Sequence, residues 1–108
     1  MGIPAHARKW TYNNDASAAL TNEEAFAAIT GRMVFVTHIL YSTALGGTFK
    51  LLDASSGTVK FGTITLGVTG GFIADREDNP IEMGHSKGVF VTTTGGGVAC
   101  VSLAGYSL

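Results

Sequence analysis

The chain has 108 residues, the size of a single domain, with 45% hydrophobic and only 14% charged residues. This balance excludes an intrinsically disordered chain and is typical of a globular domain that buries or shares much of its surface. The net charge of −1 excludes the basic surface that phosphate contacts require, so we expect no direct nucleic acid partner. No stretch approaches the roughly 18 apolar residues of a membrane span, so we expect no membrane partner.

Residues 1–15 are predicted to form an extended N-terminal arm, because the proline and the Asn-Asn-Asp run in this segment argue against a regular core element. Within the arm, residues 9–12 have the aromatic and threonine content of a short strand. Trp10 is the only tryptophan, and a tryptophan in a free tail would expose a large apolar group. We therefore expect the arm to dock, either on its own domain at residues 16–108 or on a neighbouring subunit.

The segment 21–30 is predicted to be the one short helix of the chain. Thr21 and Glu24 have the spacing of a capping box, in which each side chain satisfies a free backbone N–H of the first turn. Phe26 and Ile29 would form a narrow apolar stripe, and Gly31 would end the helix. Because so short a helix is unstable alone, we expect it to lie against a sheet.

From residue 32 the hydrophobic period changes to two, which is typical of β-strands. The longest run covers residues 32–43. Strict alternation places Phe35, Thr37, Ile39 and Tyr41 on one face and Val34, Val36, His38 and Leu40 on the other. Both faces are largely apolar, as expected for a strand with the core on one face and an arm, helix or subunit on the other.

Further strands are predicted at 48–53, 58–66, 72–74, 81–83, 88–93 and 98–103. Residues 54–57 have turn composition, so the strands on either side are expected to form a hairpin. The glycine run at residues 95–97 is interpreted as the turn of a second hairpin. About seven or eight short strands with frequent turn signals predict an all-β fold, a small antiparallel β-sandwich or jelly roll.

The sequence offers no constellation typical of catalysis, of a cofactor or of a metal site. The glycine run lacks the lysine and the helix of a phosphate-binding loop. The three histidines lack metal-ligand spacing, Cys100 is the only cysteine, and no serine lies in a Gly-x-Ser-x-Gly elbow. The acidic cluster within residues 75–82 lacks the pattern of a calcium loop and is interpreted as a solvated loop. We therefore expect a protein that is not an enzyme and has no catalytic residues, cofactor or metal.

A particular order of strands and turns extends from residue 32 to residue 108. It comprises residues 48–53 with their Ser-Ser-Gly turn, Pro80-Ile81, residues 88–92 before a glycine turn, and residues 99–103 with Tyr106 beyond them. In this order the stretch resembles small jelly-roll proteins on the particles of tailed bacteriophages, which are often decoration or cement proteins.

The resemblance implies a virion structural protein that binds the major capsid protein lattice as a homotrimer. It would be made in the host cytoplasm and sit on the capsid exterior. The expected interface residues are Ile3, Trp10, Tyr12, Tyr41 and Tyr106. The alternative is a tail, head-fibre or spike module that binds a host receptor or glycan, with Tyr41, Tyr106 and the acidic loop as candidate contacts.

Overall fold

The computed structural model describes residues 6–16, 18–95 and 97–108, and the described part of the chain contains nine β-strands and no helix. This described part therefore has no helix that is long and apolar enough to span a membrane. The strands are β1 (Arg8–Ala16), β2 (Glu23–Phe26), β3 (Met33–Thr43), β4 (Gly47–Leu52), β5 (Val59–Leu66), β6 (Gly70–Asp75), β7 (Ile81–His85), β8 (Val89–Thr94) and β9 (Ala99–Ser107).

The strands form two antiparallel sheets that pack face to face. The five-stranded sheet has the order β1-β9-β3-β6, with β7 also paired to β3, and the four-stranded sheet has the order β2-β8-β4-β5. Strands β6 and β7 both pair with β3, one after the other along its length, so together they fill one position at the edge of the sheet. With that position counted once, the two sheets have the strand order of a jelly roll. The predicted all-β sandwich is confirmed, and so is the predicted hairpin between β4 and β5.

Strand β3 lies at the centre of the five-stranded sheet and contains a β-bulge at Thr37, where its register with β9 shifts by one residue. The bulge turns the later residues over, so that Ile39 and Tyr41 face the core together with Val34 and Val36. The predicted assignment of these residues to two opposite faces is therefore wrong, because a single extra residue reverses the alternation of every side chain beyond it.

Aromatic rings connect the two sheets across the core. Tyr41 of β3 stacks on Phe49 of β4 with ring centroids 5.2 Å apart, and Phe49 meets the edge of Phe61 at 6.4 Å. Phe61 of β5 in turn contacts Phe72 of β6 at 5.8 Å. Each of these contacts joins one sheet to the other or adjacent strands within a sheet, and offset aromatic pairs add stability beyond the apolar area that they bury.

The helix predicted at 21–30 is absent, and this segment contains β2 instead. Its backbone pairs with β8, with Glu23 opposite Val91 and Glu24 opposite Phe90. Asn22 has a φ angle of +48°, and its backbone N–H donates to Thr92 Oγ1 at 3.1 Å. Hydrogen bonds to the uncovered side of β8 thus outweigh the weak local preference for a helix, as tertiary pairing commonly does in short segments.

The hairpin predicted around residues 95–97 is also wrong, because β8 lies in the four-stranded sheet and β9 in the five-stranded sheet. The connection crosses from one sheet to the other at the end of the sandwich. Gly95 has a φ angle of +108°, and a Cβ there would collide with the carbonyl oxygen of Gly46. Glycines that permit tight backbone contact serve this crossing as well as they would serve a hairpin turn.

Strand β1 forms one edge of the five-stranded sheet and pairs with β9 from Arg8, opposite Ser107, to Ala16, opposite Ala99. The short strand predicted at residues 9–12 is confirmed and is longer than expected. The Trp10 ring stacks on Phe26 of β2 with centroids 5.1 Å apart. From residue 8 onward, the segment predicted to be an arm is therefore docked on its own domain.

We expect Gly105→Ala to destabilise the protein. A Cβ on Gly105 would lie 2.7 Å from the Trp10 ring and would collide with the carbonyl oxygen of Phe35. Overpacking of this kind costs about 1–3 kcal/mol. The measurement is the free energy of unfolding in urea. The control is Gly67→Ala, where a Cβ meets nothing within 4 Å and should leave stability nearly unchanged. Equal stability of the two variants would contradict the packing of β1 on β9.

Candidate functional site: the outer face of the five-stranded sheet

The side of the five-stranded sheet that faces away from the core presents three rows of residues across four strands. We call this surface the outer face. Its rows, in the order β1, β9, β3 and β6, are Asp15-Cys100-Ser42-Gly71, Asn13-Ser102-Leu40-Ile73 and Thr11-Ala104-His38-Asp75. Most of these side chains are small, so they project only a short distance from the backbone of the sheet.

The centre of the outer face is apolar. Ile73 is 77% exposed, and it lies opposite the half-buried Leu40. Two shallow depressions of about 460 and 480 Å³ flank this pair and share both residues in their linings. The exposed isoleucine and the depressions beside it make this surface a candidate for a contact with another molecule.

Polar side chains surround the apolar centre. On one side, Ser102 Oγ donates to Asn13 Oδ1 at 2.5 Å. On the other side, His38 Nε2 lies 3.3 Å from Asp75 Oδ1, and both of these side chains are well exposed. An apolar centre within a polar border is the usual anatomy of a protein–protein interface.

The bulge residue Thr37 sets the orientation of the His38 ring. Its hydroxyl donates to the carbonyl oxygen of Ala104 at 3.2 Å, and His38 Nδ1 lies 2.9 Å from the same Oγ1. The tautomer of the ring decides which of Nδ1 and Thr37 Oγ1 is the donor in this contact, and with Nδ1 held at Thr37 the other ring nitrogen, Nε2, faces Asp75.

Cys100 lies on the outer face beside Asp15, its partner in the register of β1 and β9. A hydrogen bond from the thiol to the Asp15 carboxylate raises the pKa of Cys100, and partial burial raises this pKa further. A raised pKa lowers the fraction of thiolate, which is the reactive form of cysteine. This environment is the opposite of the one that activates a catalytic cysteine.

The acidic loop predicted within residues 75–82 is a turn that bonds to itself. The backbone N–H of Glu77 donates to Asp75 Oδ1 at 3.2 Å, and Arg76 Nε donates to the carbonyl oxygen of Asn79 at 3.0 Å. Across the described ranges, no three His, Cys, Asp or Glu side chains are grouped closely enough to hold a metal ion.

The predicted interface residues that the structure describes lie apart from the outer face, mostly in the interior. Ile3 lies outside the described residues. Trp10 and Tyr12 are half-buried against the core, and the Tyr12 hydroxyl accepts a hydrogen bond from Asn14 at 2.8 Å. Burial raises the pKa of Tyr12. A contact of these residues with another chain stays a prediction.

The two other tyrosines are almost fully covered. Tyr41 is 1% exposed in the core, and Tyr106 is 7% exposed and stacks on Phe35 with ring centroids 4.8 Å apart. The residues that do form the outer face, Leu40 and Ile73 above all, were not among the predicted contacts. The one sequence signal for Ile73 is its position between Phe72 and Ala74, since alternation places it on the face opposite to theirs.

No protein-family model matches the chain, and no curated protein matches it. Two solved structures are distantly similar. In the structure of infectious bursal disease virus, Gx strain, the match has 11% sequence identity and a TM-score of 0.37, and it covers 99% of this chain but 35% of the viral chain. In the crystal structure of PirA, the match has 14% identity and a TM-score of 0.34, and it covers 96% of this chain and 95% of PirA.

We expect Asp15→Asn to increase the rate at which iodoacetamide alkylates Cys100. The substitution removes the carboxylate that holds the proton on the thiol, so the pKa of Cys100 falls and more thiolate is present at a given pH. The measurement is the alkylation rate between pH 7 and 9, by mass spectrometry. Asp75→Asn, which removes a carboxylate from the far side of the outer face, is the control and should leave the rate unchanged. A slower reaction in Asp15→Asn would refute this account of the thiol.

Proposed function

We propose that this chain is a non-enzymatic structural protein of a virus particle. In its specific form, the proposal is a decoration or cement protein on the exterior of a bacteriophage capsid. It would bind the major capsid protein and stabilise the lattice as a homotrimer. Its mechanism is mechanical, since the work is done by surface buried at contacts repeated over many copies.

The observation that carries the proposal is the outer face. An exposed Ile73 beside Leu40, bordered by Asn13, Ser102 and the His38–Asp75 pair, offers a flat contact surface of moderate polarity. Burial of apolar surface stabilises such a contact by about 25 cal/mol per Å². A flat, four-strand-wide face suits the surface of another folded protein better than it suits a small molecule, which binds in deeper clefts.

The fold is compatible with this role but is also compatible with other roles. Jelly rolls occur in viral capsid domains, in lectins and in cupins, so the fold alone does not distinguish a structural protein from a binding module or an enzyme. Two features of the surface support the structural role. Asp15 raises the pKa of the Cys100 thiol, and the acidic loop forms hydrogen bonds within itself.

The glycan-binding alternative loses its predicted aromatic contacts. Sugar rings stack on exposed aromatic faces, whereas Tyr41 and Tyr106 are 1% and 7% exposed and already stack on Phe49 and Phe35. The acidic loop is exposed to solvent, but neither Tyr41 nor Tyr106 is exposed beside it to stack on a sugar ring. The capsid-binding proposal therefore accounts for more of the exposed surface.

We expect Ile73→Asp to weaken binding to the capsid at least about tenfold, since it replaces the apolar centre of the contact with a charge that must be desolvated. The measurement is co-sedimentation with purified phage capsids that lack this protein. The matched control is Val59→Asp, which changes a 42% exposed valine on β5 of the opposite sheet. Binding by Ile73→Asp as tight as that of the control would remove the outer face as the capsid contact.

A further inference from the structure

One end of the sandwich is formed by three connections from different parts of the chain. They are residues 44–46 between β3 and β4, residues 67–69 between β5 and β6, and the crossing from β8 to β9. The backbone N–H of Ala44 donates to the carbonyl oxygen of Val98 at 3.0 Å, and the N–H of Thr69 donates to the carbonyl oxygen of Ala44 at 3.0 Å. These bonds hold the three connections side by side.

Each connection exposes one aliphatic side chain at this end. Leu45 is 62% exposed, Val68 69% and Val98 60%. The Leu45 side chain lies over Gly97, with its Cγ 2.8 Å from the position that a Cβ of Gly97 would occupy. We call Leu45, Val68 and Val98 the loop-end patch. Single exposed aliphatic residues are common, but three on adjacent loops form a patch of the kind that marks an interface.

The loop-end patch lies among segments that carry no charge, and the nearest acidic position in the sheet register is Asp15 of β1, which lies on the outer face opposite Cys100. No Asp, Glu, Lys or Arg occurs in residues 43–48, 61–74 or 88–108. Basic residues gather at the opposite end, where Arg8 pairs with Ser107, and Arg32 Nη2 donates to the carbonyl oxygen of Ser107 at 3.0 Å. The three connections that form this end therefore carry no charged residue themselves, whereas the opposite end carries several.

This absence of charge indicates what covers the patch. In a cyclic assembly, a patch close to the rotation axis meets its own copies, and any charge that it carried would be placed next to an identical charge. An uncharged aliphatic patch avoids that repulsion. A lipid surface is less suitable, because membrane-surface anchors carry aromatic and basic residues, whereas these three connections, as far as they are described, carry neither.

We propose that the loop-end patch binds the same patch of other copies of this chain. The inference rests on the proposed function, since it assigns the self-contact of the proposed homotrimer to this end and leaves the outer face free for the capsid. Stable interfaces bury at least about 1,200 Å² in total. The contact therefore extends from the three side chains onto the exposed Gly67 and Thr69 beside Val68.

We expect Leu45→Asp and Val68→Asp each to raise the dissociation constant for self-association at least about tenfold. The measurement is mass in solution by analytical ultracentrifugation over a wide range of protein concentration, with circular dichroism as the check of folding. Val98→Asp is the second variant if one of the first two fails to fold. Ile73→Asp is the matched control, because it places the same charge at an equally exposed position outside the patch, and it should keep the mass of the wild type.

Wild-type protein that is monomeric throughout this range would overturn the inference, as would loop-end variants that assemble like the wild type. Flotation of the wild type with phosphatidylcholine–phosphatidylserine vesicles, lost in Leu45→Asp, would also overturn it in favour of a lipid surface. Capsid binding by the same variants separates the two proposals. A Leu45→Asp variant that is monomeric and still binds capsids weakly would support both of them. An Ile73→Asp variant that loses capsid binding but keeps the mass of the wild type supports the self-contact independently of the capsid contact.

Discussion

The bulge at Thr37 is the constraint on which both the core and the outer face depend. One extra residue in β3 keeps four aliphatic and aromatic side chains of this strand on the core side, although they do not alternate strictly in the sequence. The same residue forms hydrogen bonds through its hydroxyl and its carbonyl oxygen. Its hydroxyl bonds to Ala104 and contacts His38, while its carbonyl oxygen accepts a hydrogen bond from the backbone N–H of Arg76 at 2.6 Å. Because the bonds of a buried bulge must be satisfied, this arrangement fixes where β6 ends.

The position of β6 follows from that anchor and in turn determines the outer face. With Asp75 held opposite His38, Ile73 is in register with Leu40, and the two side chains project from the same side of the sheet. The apolar centre and the polar pair are therefore products of one register. A slip of one residue would direct Phe72 and Ala74 to solvent and Ile73 to the core, at a cost that the packed Phe61–Phe72 contact makes prohibitive.

The parts of the fold that the sequence predicted are those with local signals. The β4–β5 hairpin carries its own turn residues, and β3 is a long β-branched and aromatic run, which predicts a strand although the bulge at Thr37 breaks its alternation. The helix at 21–30 failed because a capping-box pattern and alanines favour a helix only slightly, whereas an uncovered β8 offers a ladder of hydrogen bonds that no local pattern records. The hairpin at 95–97 failed because glycines permit a tight connection without specifying whether it stays in one sheet.

The candidate site was harder to predict than the fold, for a related reason. Aromatic residues are enriched both in cores and in interfaces, so composition alone could not tell that Tyr41 and Trp10 pack inward. The exposed residues of the candidate surfaces are aliphatic, and they look like ordinary strand or loop residues until the register is known. The uncharged stretch at 88–108 is ambiguous in the same way. Its composition is that of buried core, yet it includes Val98, which is exposed at one end of the sandwich. A segment can be free of charge because it lies inside the domain or because it meets another chain, and only its position in the folded sheet separates the two.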